Sequence, residues 1–283
     1  TTYYFVIDGY NSGSHGSYQI NVDLSIGLEA PDSTILPLVI INTFGQEIVD
    51  EPKITTNLKI INNGPGLMNH PSDPANVYDG FAGIEIRGSY SSTLPQKPFG
   101  IETRDSLGEN NNVSLFNMPS ENDWILIANY NDKTFLRNIL AFDLFTKMGH
   151  YAPRTELCEV VVNDIYQGVY VFTEKIKRDK DRVDIAKLKI NENAGDSLTG
   201  GYIFKVDYWN SSNSWLSNYN NPNYPSDDVY YVYEYPDEND ITIQQKNYIE
   251  SKVTAFENDL WGANFSNPIN GYRQHFDVPS FID

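Results

Sequence analysis

The sequence predicts an α+β fold, in which a β-rich first part is followed by mixed helices and strands. The composition is globular, with 40% hydrophobic residues, 20 Tyr and 14 Phe, which is far more aromatic than a disordered chain. Short β-branched and aromatic runs, bounded by Gly, Pro and Asn, fill the N-terminal part and are typical of strands. Two later segments repeat apolar residues at helical spacing, so helices join the strands there.

The first 27 residues predict a β-hairpin. Strand-like runs at 3–9 and 17–22 flank a polar Gly/Ser turn at 11–14, and two strands alone do not make a stable domain. The runs read aromatic-aromatic-hydrophobic-x-Asp-Gly and then Gly-x-Tyr-x-hydrophobic. They resemble the last two strands of the pre-peptidase C-terminal β-sandwich of secreted bacterial proteins. The resemblance implies that the chain begins inside another domain, ahead of a linker at 28–36.

The remaining elements follow from local patterns. The first helix is expected over 133–148, with Asp132 as its N-cap and Gly149 as its stop. A second amphipathic helix is expected over 243–260. A hairpin loop is expected at 163–167. A polar, Asn- and Ser-rich insertion is expected at 210–228. Strands are expected at 37–42, 53–61, 81–87, 98–104, 124–128, 156–162, 168–174, 200–207 and 229–235.

Charge excludes several classes of partner. Asp and Glu outnumber Lys and Arg by 38 to 20, which gives a formal charge of -18, so the surface repels nucleic acid and anionic membranes. No apolar run approaches the roughly 20 residues of a membrane span. The chain opens on a strand-like segment without an initiator Met, and a signal peptide is not evident.

Cysteine and histidine usage argues against disulfides and zinc. Cys158 is the single cysteine, so no internal disulfide is expected, and it lies in the apolar run 157–162. A buried, inert thiol is therefore expected there rather than a nucleophile. With four scattered histidines and one cysteine, a zinc site of the usual Cys/His spacing is not expected.

Four sequence blocks occur in one order between residues 84 and 207. They are Ile84-Glu85-Ile86-Arg87-Gly88-Ser89-Tyr90-Ser91 with Lys97-Pro98-Phe99, Asn122-Asp123-Trp124 with Asp132-Lys133 and Leu136-Arg137-Asn138, Val162-Asn163 with Gly168-Val169-Tyr170 and Glu174-Lys175-Ile176, and Thr199-Gly200-Gly201-Tyr202-Ile203 with Asp207. Together they resemble the CotH kinase family, first known from bacterial spore coats and common in secreted bacterial proteins. The resemblance runs from about Leu36 to the C-terminus.

This resemblance implies an atypical protein-kinase-like domain over residues 37–283, with a β-rich N-lobe and part of a C-lobe. It implies a secreted or cell-surface bacterial protein whose full-length parent binds ATP with Mg and phosphorylates hydroxyl groups of a secreted or surface protein. Phosphoryl transfer depends mostly on positioning the nucleotide and neutralising its charge. Candidate nucleotide-binding residues are therefore sought among small residues and cations.

The first candidate is the strand-turn-strand region around residue 90. Gly88, Ser89 and Ser91, following Arg87, give a small-residue loop whose backbone amides can approach phosphate oxygens. Lys97 opens the next strand and supplies an ammonium. The residue types alone fit an ordinary hairpin with a surface lysine, and the family resemblance favours a phosphate site.

Arg137 is a further candidate at the start of the first helix. One interpretation is a bidentate clamp on phosphate. The other is an ion pair with Asp132 or Glu121 that fixes the helix. Conventional kinases place a glutamate in this helix, and the Leu-Arg-Asn found here follows the CotH pattern instead.

Glu174 and Lys175 lie where the strand should lead into the second lobe. Glu174 suits a partner for Lys97 or for a nucleotide hydroxyl, and Lys175 opens a basic run to Arg182 that suits phosphate or an acidic substrate segment, unless it is a solvated face. Asp207, at a strand end, is interpreted as a structural hydrogen-bond acceptor rather than a metal ligand.

Catalytic and metal-binding residues are not assigned. In the family, the catalytic aspartate lies in an Asn-x-Asp motif after a helix that begins near Ser-Phe-Ile-Asp, and a metal aspartate follows later. Here the chain ends at Ser280-Phe281-Ile282-Asp283, so it is expected to be incomplete and inactive alone. The alternative is a non-catalytic surface, adhesion or assembly protein that reuses the fold. A carbohydrate-binding module is a third hypothesis, based on the aromatic run 230–235.

Overall fold

The structure is a computed structural model that describes residues 29–210 and 212–282. Within them lie ten strands and three helices, which confirms a mixed α and β architecture. The hairpin predicted for residues 1–27 lies outside the described residues. The strands are β1 Leu38–Asn42, β2 Ile54–Ile61, β3 Tyr78–Ile86, β4 Phe99–Arg104, β5 Asp123–Ala128, β6 Thr155–Val162, β7 Ile165–Glu174, β8 Ile203–Asp207, β9 Ser214–Leu216 and β10 Tyr230–Tyr235, and the helices are α1 Arg137–Lys147, α2 Ile243–Trp261 and α3 Val278–Ile282.

The first seven strands close into a barrel of order β1-β2-β3-β4-β5-β7-β6. All neighbours are antiparallel except β1 and β6, which run parallel and close the barrel. The side chains that alternate toward the inside form one core, centred on the fully buried Trp124, Tyr170 and Phe172. The rings of Trp124 and Phe172 lie 5.5 Å apart. Since each aromatic removes a large apolar area from water, this core is the main source of stability of the barrel.

The first helix begins four residues later than the sequence predicts. Phe135 has a φ of +59°, a left-handed conformation that no α-helix continues through. The predicted N-cap is therefore wrong, because Leu136 occupies that position and makes no side-chain cap. Asp132 lies before the helix, where its Oδ2 accepts a hydrogen bond from the Arg137 backbone N–H at 3.0 Å. The predicted stop is confirmed, since the helix ends at Lys147 and Gly149 adopts a φ of +95°. No residue of α1 is buried, so its apolar face is less covered than the spacing indicates.

The second sheet has the order β8-β10-β9 and packs against α2. The Tyr231 hydroxyl on β10 donates to Glu257 of α2 at 2.9 Å, and Val253 of the same helix is buried. Thr242 and Gln245 form a capping box at the start of α2. The polar insertion at 210–228 contains a strand that the sequence does not predict, since β9 lies within it and pairs with β10. Three residues are too few for a local pattern, so this strand depends on its tertiary pairing.

Candidate functional site

The loop between β3 and β4 lies at one end of the barrel and holds most of the predicted phosphate-binding residues. Gly88 has a φ of +86°, and a Cβ added there would lie 2.2 Å from the Ser91 Oγ. Any residue other than glycine would thus be strained and would displace Ser91. After this reversal the chain forms one 3-10 turn over Ser91–Thr93. The sequence places glycine where the backbone requires it.

Lys97 folds back onto this loop. Its Nζ donates to the Ser92 carbonyl oxygen at 2.6 Å, and its own carbonyl oxygen accepts from the Tyr170 hydroxyl at 2.9 Å. The neighbouring Gln96 Nε2 donates to the Val169 carbonyl oxygen at 2.9 Å. The base of the lysine is therefore fixed to β7, and its ammonium is held over the serine-rich turn.

Arg87 adds a second cation beside the turn. Surrounding protein atoms partly desolvate its guanidinium and lower its pKa, while the nearby carboxylates of Glu85 and of Glu234 on β10 oppose this shift. Ser89 is exposed and Ser91 is half-buried on the same loop. Two cations, two hydroxyls and a glycine turn form an arrangement that suits an anion with several oxygens, such as phosphate. We call residues 87–97 the Gly88 loop.

Glu174 lies at the other end of the barrel. Along β7 it is four residues from Tyr170, or about 13 Å at the usual rise per residue, and it pairs in register with Trp124. Its buried carboxylate accepts from the Arg154 backbone N–H at 2.9 Å and from Arg154 Nη1 at 2.8 Å. The structure thus gives Glu174 an arginine partner in place of the predicted Lys97 or nucleotide hydroxyl. Arg154 carried no local pattern that would have revealed this pairing.

The basic run that follows Glu174 is mostly engaged within the protein. Lys177 Nζ lies 2.6 Å from Asp123 Oδ2 and 3.2 Å from Glu121 Oε1. Burial opposes its charge, but the Asp123 carboxylate raises the pKa of Lys177 above its usual value. Arg182 is almost fully buried, and Lys175 is half-buried. Most of this run is therefore structural, rather than a free anion surface.

The other charged candidates have local partners. Arg137 is 77% exposed and its Nε lies 3.5 Å from Asp132 Oδ1, which is the ion pair that one of the two interpretations predicts. Asp207 Oδ2 lies 3.4 Å from Lys205 Nζ, and Asp207 Oδ1 accepts from the Tyr208 backbone N–H at 2.9 Å. In the part of the chain that the structure describes, no group of three His, Cys, Asp or Glu side chains could hold a metal ion.

Cys158 is fully buried in the barrel core. Burial raises the pKa of its thiol, since the thiolate would be desolvated there. The prediction of a buried cysteine is confirmed. Across residues 29–210 and 212–282, the structure also contains no helix with the length and apolarity needed to cross a bilayer.

Comparison with known protein families gives a match that spans all four sequence blocks. The family model described as CotH kinase protein matches residues 84–283, more than half of the chain. The match begins in β3, just before the Gly88 loop, and includes Lys97, α1, the second sheet and α2. No curated protein matches the chain. On the family match, the chain belongs to the CotH kinase protein family.

Proposed function

We propose that the Gly88 loop binds the phosphate groups of ATP, and that the chain is the nucleotide-binding part of a secreted or cell-surface kinase that phosphorylates protein hydroxyls. The observation that carries the proposal is the position of the Lys97 ammonium, 2.6 Å from the Ser92 carbonyl oxygen and inside the CotH kinase match. Family membership makes a kinase-related role the expectation, and the loop offers the chemistry that such a role needs.

A phosphate oxygen is a better partner for Lys97 than the carbonyl it now contacts. The ammonium already makes a charge-assisted hydrogen bond to this neutral carbonyl, and an ionised phosphate oxygen would add the attraction between two full charges. The protein carries a net charge of -18, so a polyphosphate approaches only where cations are concentrated. Arg87 and Lys97 supply two cations on one loop, and the hydroxyls of Ser89 and Ser91 add donors.

The proposal assigns phosphate contacts to Arg87, Gly88, Ser89, Ser91 and Lys97. We assign no nucleotide contact to Glu174, because its carboxylate is buried and held by Arg154. We also assign none to Lys175, because it follows Glu174 at the end of the barrel opposite the Gly88 loop.

Arg137 and magnesium are two further components of the proposed site. Arg137 begins α1, which follows β5 from the same end of the barrel as the Gly88 loop, and its exposed guanidinium would leave its ion pair with Asp132 to contact a bound phosphate. Magnesium would arrive with the nucleotide, and we assign no ligand of this chain to it, given that no three-residue metal group occurs among the described residues.

The test is isothermal titration calorimetry, in which Mg-ATP is titrated into the protein and into two variants. Lys97→Met keeps the aliphatic stem but removes the ammonium, and we expect its dissociation constant to rise at least about tenfold, the value of one charge-assisted hydrogen bond of about 1.5 kcal/mol. Lys187→Met removes an exposed lysine from elsewhere in the chain and should bind as the parent does.

A protein that shows no heat and no thermal stabilisation with Mg-ATP would contradict the proposal. Ligand at one hundred times its dissociation constant stabilises a true binder by about 2.7 kcal/mol, so binding of useful strength cannot escape detection. That result would favour the non-catalytic surface or adhesion role. Stabilisation by a polysaccharide instead would favour a carbohydrate-binding module.

A further inference from the structure

Pairing between β5 and β7 stops short of the start of β7. The last pair joins Ala128 to Tyr170, whereas β7 already begins at Ile165. On its other side β7 stays paired with β6, but the register shifts so that Gln167 is an extra residue. A bulge of this kind disrupts the ladder of hydrogen bonds locally. The first part of β7 therefore needs hydrogen-bond donors that β5 does not supply.

The side-chain amide of Gln96 fills this gap. Its Nε2 donates to the carbonyl oxygens of Val169 at 2.9 Å and of Gln167 at 3.3 Å. Val169 lies opposite Glu159 of β6, and the Glu159 backbone N–H donates away from β7, to the Pro37 carbonyl oxygen. In such a pair the backbone groups of both residues point outward. The Val169 carbonyl therefore faces the side of β7 on which β5 has ended, and Gln96 binds it there.

Gly168 makes room for this amide. Its φ is +102°, and a Cβ added to it would lie 3.1 Å from the Gln96 Nε2. A larger residue would be strained at this φ and would press on the amide. The glycine thus lets the Gln96 side chain lie directly against the backbone of β7, as an adjoining strand would.

Gln96 is connected to the proposed phosphate site through the next residue. The Lys97 carbonyl oxygen accepts from the hydroxyl of the fully buried Tyr170 at 2.9 Å, so β7 holds two consecutive residues of the loop. From this fixed base the Lys97 Nζ reaches the Ser92 carbonyl oxygen at 2.6 Å. An ammonium that is already held in place loses less freedom when an anion binds to it, which favours binding.

We propose that Gln96 is a positioning residue of the Gly88 loop, where its amide takes the place of a strand beside β7 and holds the Lys97 ammonium over the serine-rich turn. Its effect on nucleotide affinity rests on the proposed function, because Lys97 is a phosphate contact assigned there. The position of the ammonium itself does not depend on a nucleotide.

Nuclear magnetic resonance of the whole chain with isotope-labelled lysine side chains tests this position without nucleotide. Gln96→Met keeps the length of the side chain and removes the amide. We expect the Lys97 ammonium signal, identified by its loss in Lys97→Met, to move toward that of the exposed Lys187. Gln274→Met is the matched control, because it removes an amide that donates to Asp259 at 2.9 Å elsewhere in the chain. It should leave the Lys97 signal in place.

A double-mutant cycle on Mg-ATP affinity separates positioning from general support of the fold. Gln96→Met should raise the Kd about fivefold, as for the loss of one neutral hydrogen bond. In the Lys97→Met background the same change should have no further effect, because the ammonium through which Gln96 acts has been removed. Gln274→Met should bind Mg-ATP as the parent does. An equal rise in both backgrounds would overturn the inference, since Gln96 would then act without Lys97.

The two measurements let this inference and the nucleotide proposal fail separately. A Lys97 signal that stays in place in Gln96→Met would overturn the inference, whether or not the protein binds Mg-ATP. A signal that moves, in a protein that binds no Mg-ATP, would contradict the nucleotide proposal and support the role of Gln96. Should Gln96→Met fail to fold, Gln96→Asn replaces it, because it keeps an amide but withdraws it by one methylene group.

Discussion

Replacing Gly88 by alanine measures how far the Gly88 loop depends on its glycine. Gly88 has a φ of +86° and Gly108 a φ of +85°, so Gly108→Ala is a closely matched control. An alanine Cβ at Gly88 would lie 2.2 Å from the Ser91 Oγ, whereas at Gly108 nothing lies within 4 Å. The two substitutions share the backbone strain and differ in the clash.

The magnitudes follow from these two contributions. A left-handed alanine costs about 1–2 kcal/mol, and the stiffer unfolded chain returns about 0.4–1 kcal/mol. Gly108→Ala should therefore destabilise by about 1 kcal/mol. Gly88→Ala should cost about 1 kcal/mol more, because the Ser91 hydroxyl must leave its rotamer or its place. Each kcal/mol should lower the Tm by roughly 2–4 °C.

Thermal unfolding of four proteins tests this reasoning. We expect Gly88→Ala to be the least stable, Gly108→Ala to be intermediate, and the double variant Gly88→Ala/Ser91→Ala to recover to the level of Gly108→Ala, since the Ser91 Oγ has been removed. Equal losses in Gly88→Ala and Gly108→Ala, with no recovery in the double variant, would show that the contact between the alanine Cβ and Ser91 Oγ costs no stability. That result would contradict the close approach of Ser91 Oγ to Gly88.

Three further predictions concern buried groups of the barrel. Glu174→Gln should lower the free energy of unfolding by about 3 kcal/mol, measured in urea, because it leaves Arg182 buried beside a neutral partner; a loss within error would contradict this. Glu156→Gln should raise the Tm at pH 7.5 but not at pH 4. Burial raises the pKa of Glu156, because the folded state disfavours its carboxylate. This cost to stability disappears as the pH falls and the group is protonated. An equal gain at both pH values would refute it. Cys158 should not react with a thiol reagent at pH 8 until the protein unfolds, and rapid reaction of the folded protein would be the contrary result.

Much of the barrel could be predicted from the sequence, because its strands carry their own local pattern. In β6, Cys158 and Val160 are buried on one face, whereas Leu157 and Glu159 beside them are half-buried. Strong β-formers stand at both ends of this strand. The hairpin turn is tighter than predicted, since Asn163 and Asp164 alone, at φ of +49° and +64°, reverse the chain and β7 already begins at Ile165.

The sequence predicts the candidate site only where its residues are close to one another along the chain. Gly88 and Lys97 lie in one turn, and nine residues of sequence were enough to bring them together. Glu174 was assigned to Lys97 on chain order alone, whereas strand register fixes it near Arg154 and Arg182 at the far end.

The two sheets differ in how they end. The parallel pairing of β1 with β6 leaves the barrel without a terminal strand, so its backbone offers no template to another chain. The three-stranded sheet ends in β8 on one side and β9 on the other, and β8 carries Val206, 68% exposed, next to an ion-paired Lys205. Among the described residues, pairing with another chain through an open strand edge is therefore more favourable at the three-stranded sheet than at the barrel.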